Sequence, residues 1–507
     1  MTPLTTRPRG KRPPRSLKIL FVTTETAPFA KVGGLGEVLS ALPKALRKDG
    51  HDARVFMPKY LSIKKRRHAM TKVIEGIQMA KPATDPYGLT VANVIQNKAK
   101  DGAITYFLEN MEYYEKRANV YGYADDTARW VLLSRGVLEF IRRSDWVPDV
   151  IVANDWPAGF VPNLMQTEYR NDPVIRNIAC VFVIHNLRNQ GMFDVHFLKG
   201  KDYDKGTKPI PDFIDGRMPR LNGMRRGILY ADAICAVSPT YATEILSTEF
   251  GERLNDVLRR RQDRLTGILN GIDYKKYNPG TDKQITKNYT ERRLSGREAN
   301  KHALQRVFKL PQRKDAFLIG FVGRLDEQKG IRLFMRIAKP LLSNLDIQFV
   351  LVGTGDKDFR MFFKELQEKH PGQVSTHLFY DQKLPKRIFA GADAILMPSR
   401  FEPAGLVQME AMHYGCVPIV RNTGGLADTV INDRPGDPGT GFMFDRYDHM
   451  SLMIAMVRAY AAFQDKRRWT GIIRRGMRED FSWDAAAKDH TALYRRAIRL
   501  HDRNGRR

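Results

Sequence analysis

The residue types that could do chemistry stand at the ends of apolar runs. Ala394 to Met397 reads as a short strand, and Pro398-Ser399-Arg400-Phe401-Glu402-Pro403-Ala404-Gly405 follows it as a tight turn carrying one carboxylate, Glu402. Leu406 to Tyr414 then reads as helix, with Gly405 at its mouth. Proline is tolerated at a helix start, and a helix N-terminus beside a bare glycine offers free N–H groups and a positive dipole end to an anion. An acid beside an anion cradle at the carboxyl end of a strand is where open α/β sheets bind ligands. An ordinary strand–turn–helix with a solvated glutamate would carry the same residues. A second mouth of this kind lies near the start: the strand Lys18 to Val22, a loop from Thr23 to Ala30, then Lys31-Val32-Gly33-Gly34-Leu35-Gly36 opening a helix that runs to about Arg47. Gly33 and Gly34 let the backbone approach a ligand closely and Lys31 adds a point charge, although glycines also serve tight strand–helix packing. The spacing is neither the dinucleotide fingerprint nor a phosphate loop.

These residues need a frame that brings strand ends together. Strands are predicted at 55–57, at 150–153 ending in Asn154-Asp155-Trp156, at 179–184 ending in His185-Asn186, and at 233–237 ending in Ser238-Pro239. The spacing of Val131, Leu132, Val137, Leu138 and Ile141 predicts a helix over 128–142. Residues 60–105 carry no motif, and 198–220, charged and rich in glycine and proline, read as a loop. Gly267-Ile268-Leu269-Asn270-Gly271-Ile272-Asp273 leads into a basic stretch that makes a credible joint. A second βα series follows, with strands at 317–322, 347–352, 394–397 and 417–420 and glycine turns at 353–356 and 423–426. The expected division is a disordered basic tail over 1–17, an N-terminal Rossmann-like domain over 18–266 completed by 480–507, and a C-terminal one over 267–479.

Composition bounds the function. A chain of 507 residues with 42% hydrophobic content is too long for one core and ordinary for a soluble globular protein. No apolar run approaches the ~20 residues that span a bilayer. Cys180, Cys235 and Cys416 are isolated in apolar runs, giving neither a disulfide framework nor metal spacing, which fits a reducing cytoplasm. The net charge of +28 admits nucleic acid, an acidic membrane or an anionic small substrate. The basic runs Lys64-Lys65-Arg66-Arg67, Arg259-Arg260-Arg261 and Lys466-Arg467-Arg468 are scattered and not interleaved with aromatics, as solvated faces are. Residues 1–17 lack the apolar core of a signal peptide; free of acids, they read as a disordered tail, with a short transit peptide as the alternative.

Taken in order, several segments resemble the bacterial glycogen synthases and plant starch synthases, retaining glycosyltransferases of the two-domain GT-B fold. The resemblance rests on Lys31–Leu35, Ile184–Leu187 with Gln190-Gly191-Met192-Phe193, Val237–Ala242, Leu269–Asp273, Gly323–Gly330, Pro398–Leu406 and Arg421–Val430, and covers most of residues 18–498. It implies an α/β fold of two Rossmann-like domains facing each other across a deep cleft, the C-terminal helix packing back on the N-terminal domain. It also implies a nucleotide-glucose donor in that cleft. Arg324 and Lys329 then resemble the pair that grips the diphosphate, with Lys31, Gly33 and Gly34 reaching it from the other domain. His185 falls near the donor sugar, Asp155 on the sugar or acceptor side, and Asn270 near the sugar. Tyr380 falls where a tyrosine stacks on adenine, Gly405 and Leu406 at the donor-side helix mouth, and Glu402 is the carboxylate nearest the reacting carbon. Retention leaves two routes, a covalent glycosyl intermediate or same-face attack in which the leaving phosphate takes the acceptor's proton, and a single suitably placed carboxylate fits the second. No cofactor or metal is implied.

The departures from that family are specific. Its usual His-Asp-Trp-His is Asn154-Asp155-Trp156-Pro157 here, Ala404 replaces a cysteine, and residues 211–226 lose the usual pattern. Glu410 is a second glutamate seen in other retaining GT-B enzymes, where it hydrogen-bonds the nucleotide ribose; a carboxylate suits two vicinal hydroxyls. Three functions are therefore weighed. The first is a cytoplasmic glucan synthase that extends an α-1,4-glucan from ADP-glucose and releases ADP, needing neither nucleic acid nor a membrane. The others are a related transferase using another nucleotide sugar or a small acceptor, and an inactive carbohydrate-binding homologue.

Overall fold

The computed structural model describes residues 16–64, 69–79, 89–97, 103–191 and 203–505. Most of the expected tail, the run Lys65–Arg67, the motif residues Met192 and Phe193 and part of the 198–220 loop lie outside the described residues.

Strands β1 (Lys18–Val22), β2 (Asp52–Pro58), β3 (Met70–Gln78), β4 (Val91–Asn97), β5 (Ile104–Glu109), β6 (Val150–Asn154), β7 (Ala179–Ile184), β8 (Ala233–Ala236) and β9 (Leu265–Gly267) form one sheet in the order β3-β4-β5-β2-β1-β6-β7-β8-β9. From β5 to β9 every pairing is parallel. The β3–β4 hairpin and its pairing with β5 are antiparallel. That hairpin falls in the stretch where the sequence shows no motif. β3 is an edge strand with most positions exposed or half-buried, so neither a continuous apolar run nor a clean alternation marks it. β7 is buried at every position, as in a parallel strand covered on both faces.

The second sheet comprises β10 (Phe317–Val322), β11 (Ile347–Val352), β12 (Val374–His377), β13 (Ala394–Met397), β14 (Val417–Arg421) and β15 (Phe442–Phe444), all parallel, in the order β12-β11-β10-β13-β14-β15. Numbered within its own unit this is 3-2-1-4-5-6, the doubly wound order, whose ligand crevice lies where the winding reverses, between the first and fourth strands. Here that crevice lies beyond β10 and β13. In the first sheet the corresponding reversal is between β1 and β6.

The carboxyl ends of the two sheets face each other. Ser238, after β8, donates its hydroxyl to the Pro403 carbonyl at 2.7 Å, and Thr240 gives its N–H and hydroxyl to the Asp428 carboxylate at 2.8 and 2.7 Å. Glu244 accepts from the Thr423 hydroxyl at 2.8 Å and the Gly424 N–H at 3.1 Å. The last helix, Trp483–Gly505, returns to the first unit and packs on the helix Gly34–Lys48 and on β6, β7 and β8. Its Ala487, Leu493, Tyr494 and Ala497 belong to that unit's hydrophobic core. This is the arrangement the resemblance implied.

Candidate active site

The turn after β13 is held by backbone geometry. Gly405 has φ +61°, and a Cβ there would stand 2.4 Å from the side-chain oxygen of fully buried Gln408, whose amide nitrogen donates to the Gly405 carbonyl at 2.6 Å. Only glycine fits this left-handed, crowded position at the mouth of the helix Val407–His413. Gly330 (φ +68°) presses on the same segment from the β10 side, since a Cβ would lie 1.9 Å from the Pro398 carbonyl oxygen. Arg400 N–H donates to the Gln328 carbonyl at 2.8 Å, and buried Arg421 donates to the Arg400 carbonyl.

Within this frame Glu402 is 6% exposed and pairs with Lys329 at 2.5 Å, while the Ser399 hydroxyl donates to the same carboxylate oxygen at 3.0 Å. The two residues stand 73 positions apart in the chain and meet because β10 and β13 are neighbours at the reversal. Arg324, 68% exposed, lies 3.3 Å from Asp326 and 3.3 Å from the Gln328 amide oxygen. Acid and cations thus stand together at the crevice.

On the opposite wall the Lys31–Gly34 loop faces them. A Cβ on Gly34 would touch the Leu406 side chain at 3.5 Å. Gly33 departs from expectation, because its N–H does not stand free for an anion. Buried Glu25 accepts from Val32 N–H at 2.5 Å and Gly33 N–H at 3.0 Å, and its other oxygen accepts from the Tyr121 hydroxyl at 2.8 Å. This internal carboxylate shapes the loop, and nothing in the sequence around Glu25 marks it. Lys31 pairs with Glu37, which also receives Lys276 of the second unit at 2.5 Å. Burial works to lower the Lys31 pKa, but the hydrogen bond and charge of Glu37 outweigh it and raise the pKa.

Glu410 completes this corner. It is 9% exposed, and burial pushes its pKa up to about 7 against the opposing hydrogen bond from Tyr277 and the charge of Lys276. Tyr380, 70% exposed and electrostatically in reach of Lys31, is not a core aromatic. Lys276 and Tyr277 went unread in the sequence, since they sit in the basic stretch after the joint with no spacing signal.

The remaining candidates cluster at the ends of β6 and β7. Asp155 holds φ +58°, unusual for a non-glycine residue and a form of strain that collects at functional sites. Its carboxylate accepts from the N–H of His185 at 2.9 Å and of Asn186 at 3.3 Å. Burial raises its pKa to about 7 despite those donors. Burial lowers the His185 pKa to about 3, so the ring is neutral near pH 7. Its Nε2 lies 3.0 Å from Asn154 Oδ1. Asn270 is buried and lines a small cavity with Asn154, His185, His490 and Tyr494. Among the described residues no group of three or more His, Cys, Asp or Glu side chains comes together as a metal site would require, and no helix is long and apolar enough to cross a membrane.

Comparison with known proteins identifies the family. Residues 18–260 match the family described as starch synthase catalytic domain, and 305–468 match glycosyl transferases group 1. The chain is 40% identical over 487 residues to a glycogen synthase of Clostridium perfringens, covering 95% of this chain and 99% of that one. It is 39% identical to the glycogen synthase of Thermotoga maritima, with the same coverage. Its structure matches the catalytic domain of starch synthase IV from Arabidopsis thaliana, bound to ADP and acarbose, with a TM-score of 0.81 and 29% identity over 96% of this chain and all of that one. A sucrose-phosphate synthase from Thermosynechococcus elongatus, at 19% identity and a TM-score of 0.58, shares the fold. With two doubly wound units meeting at their strand ends and near-full-length identity of this size, the chain belongs to the glycogen and starch synthase family of GT-B glycosyltransferases.

Proposed function

We propose that the protein transfers glucose from ADP-glucose to the non-reducing end of an α-1,4-glucan, with retention at the anomeric carbon, releasing ADP in the cytoplasm. One observation carries the assignment of roles: the Lys329–Glu402 pair at the reversal point of the second sheet, opposite Lys31. Breaking the sugar–phosphate bond develops negative charge on the leaving diphosphate and positive charge on the sugar. Fixed cations and a fixed carboxylate in a sheltered crevice stabilise both. In this reading Lys329, Arg324 and Lys31 hold the diphosphate and Glu402 steadies the sugar. The acceptor hydroxyl attacks C1 as the C1–O bond breaks, and its proton passes to the departing phosphate oxygen. His185 and Asp155 contact the sugar side, Asn270 stands near the sugar, and Gly34, Gly405 and Leu406 form the mouth. Tyr380 lies against the base and Glu410 against the ribose. The ADP named in the matched plant structure supports the adenine nucleotide, and three free, buried cysteines suit a reducing compartment.

Buried Glu410 favours a second reading, a related transferase with a UDP- or GDP-sugar donor. A donor panel of ADP-, UDP- and GDP-glucose against glycogen and short maltooligosaccharides, read by nucleotide release, separates the two. Release of ADP with glucan elongation is expected, and release from UDP- or GDP-glucose alone overturns the first reading.

A further inference from the structure

Asn154 stands where the related synthases have a histidine, and its side chain is fully engaged. Its amide nitrogen donates to the carbonyls of Val22 at 3.1 Å and Val152 at 3.0 Å. Two carbonyls can only be met by the NH₂ end of an amide, so they fix which way the group points. The oxygen Oδ1 is therefore the atom 3.0 Å from His185 Nε2, and an oxygen there can only accept. The ring itself is anchored through its backbone, whose N–H is held by Asp155. The other ring nitrogen, Nδ1, makes no hydrogen bond among the described residues and is not among the buried atoms left without a partner, so it keeps accessible surface.

We infer that Asn154 is a positioning residue that locks His185 with its proton on Nε2, leaving Nδ1 as a bare acceptor aimed at a hydroxyl group of the bound sugar. The second half of this inference rests on the proposed function; the tautomer itself does not. An acceptor nitrogen suits a polyhydroxylated substrate, because it takes a hydrogen bond from a hydroxyl without bringing charge near a carbon that turns positive.

The test is the ¹⁵N spectrum of histidine-labelled enzyme at pH 7.5, with the His185 signals identified by their loss in His185→Gln. A neutral ring protonated on Nε2 is expected; a proton on Nδ1, or a charged ring, overturns the lock. Adding ADP-glucose and maltose should shift Nδ1 towards a hydrogen-bonded value, and an unmoved Nδ1 overturns the hydroxyl contact. Asn154→Leu should mix the tautomers and lower kcat about tenfold with the donor KM within twofold. A Leu variant with an unmixed ring and full kcat overturns the role of Asn154. If that variant does not fold, the wild-type spectrum decides. An Nε2–H ring in a protein inert towards every donor brings down the functional reading and the hydroxyl contact, and upholds the tautomer.

Discussion

Replacing Lys329 by Met removes the charge and keeps the reach of the side chain. At 2.5 Å its attraction to Glu402 amounts to about 7 kcal/mol at an effective dielectric constant of about 20, before desolvation is counted. Both side chains are largely shielded, and taking one partner from such a pair costs about 3–5 kcal/mol, because the other charge stays buried. Glu402 would keep only the Ser399 hydroxyl among the described residues. Lys329→Met should therefore destabilise the second unit by about 3 kcal/mol, and Lys329→Met/Glu402→Gln should regain about half of that in chemical denaturation. Function should suffer separately. A fixed cation at the developing charge is worth a factor of about 10²–10³, so kcat/KM for ADP-glucose should fall that far and the Kd for ADP should rise about a hundredfold by titration calorimetry. Stability and ADP affinity both within threefold of wild type would refute the reasoning, since the pair would then contribute neither to the fold nor to phosphate binding.

Glu402→Ala should lower turnover by about 10³-fold or more while ADP still binds, measured by nucleotide release and calorimetry; near-normal turnover would remove Glu402 from the chemistry. Glu410, with a folded pKa of about 7 against 4.5 unfolded, binds its proton more tightly in the folded protein. Its contribution to stability is thus complete below pH 4.5 and lost as pH rises to 7, by up to about 3 kcal/mol at about 1.4 kcal/mol per pH unit. Glu410→Gln should flatten that slope. ADP affinity should also weaken below pH 7 in the wild type more than in Glu410→Gln, a difference that cancels the titration of the phosphate itself. Gly330→Ala forces a side chain against the Pro398 carbonyl at positive φ and should cost about 3 kcal/mol or more, with loss of activity, by thermal unfolding and assay.

What the sequence made legible was local: apolar runs followed by turn glycines placed β10, β11, β13 and β14, and with them the ends where Arg324 and Glu402 sit. What it hid was pairing over distance. Lys329 and Glu402 lie on separate turns 73 positions apart, and only the strand order makes them an ion pair. Glu25 reads as one acid in a loop, yet it organises Val32 and Gly33. Glu410 carries no mark of burial, because the tyrosine and lysine that enclose it lie more than a hundred positions earlier. Asn154 reads only as a departure from the family pattern, since its hydrogen bonds to Val22 and His185 join it to chain 132 and 31 positions away. β3 escaped for a different reason, as an edge strand in water needs little apolar patterning.

The returning helix Trp483–Gly505 has a consequence for how the protein is made. Its residues fill the core of the first unit, so about 215 residues of the second emerge from the ribosome before the first can close. At 5–20 residues per second that interval lasts roughly 10–45 s. During it the surface formed by β7, β8 and the helix Gly34–Lys48 stays uncovered and open to chaperones or to other nascent chains. Loss of the final twenty-odd residues would then spare the second unit and cripple the one synthesised first.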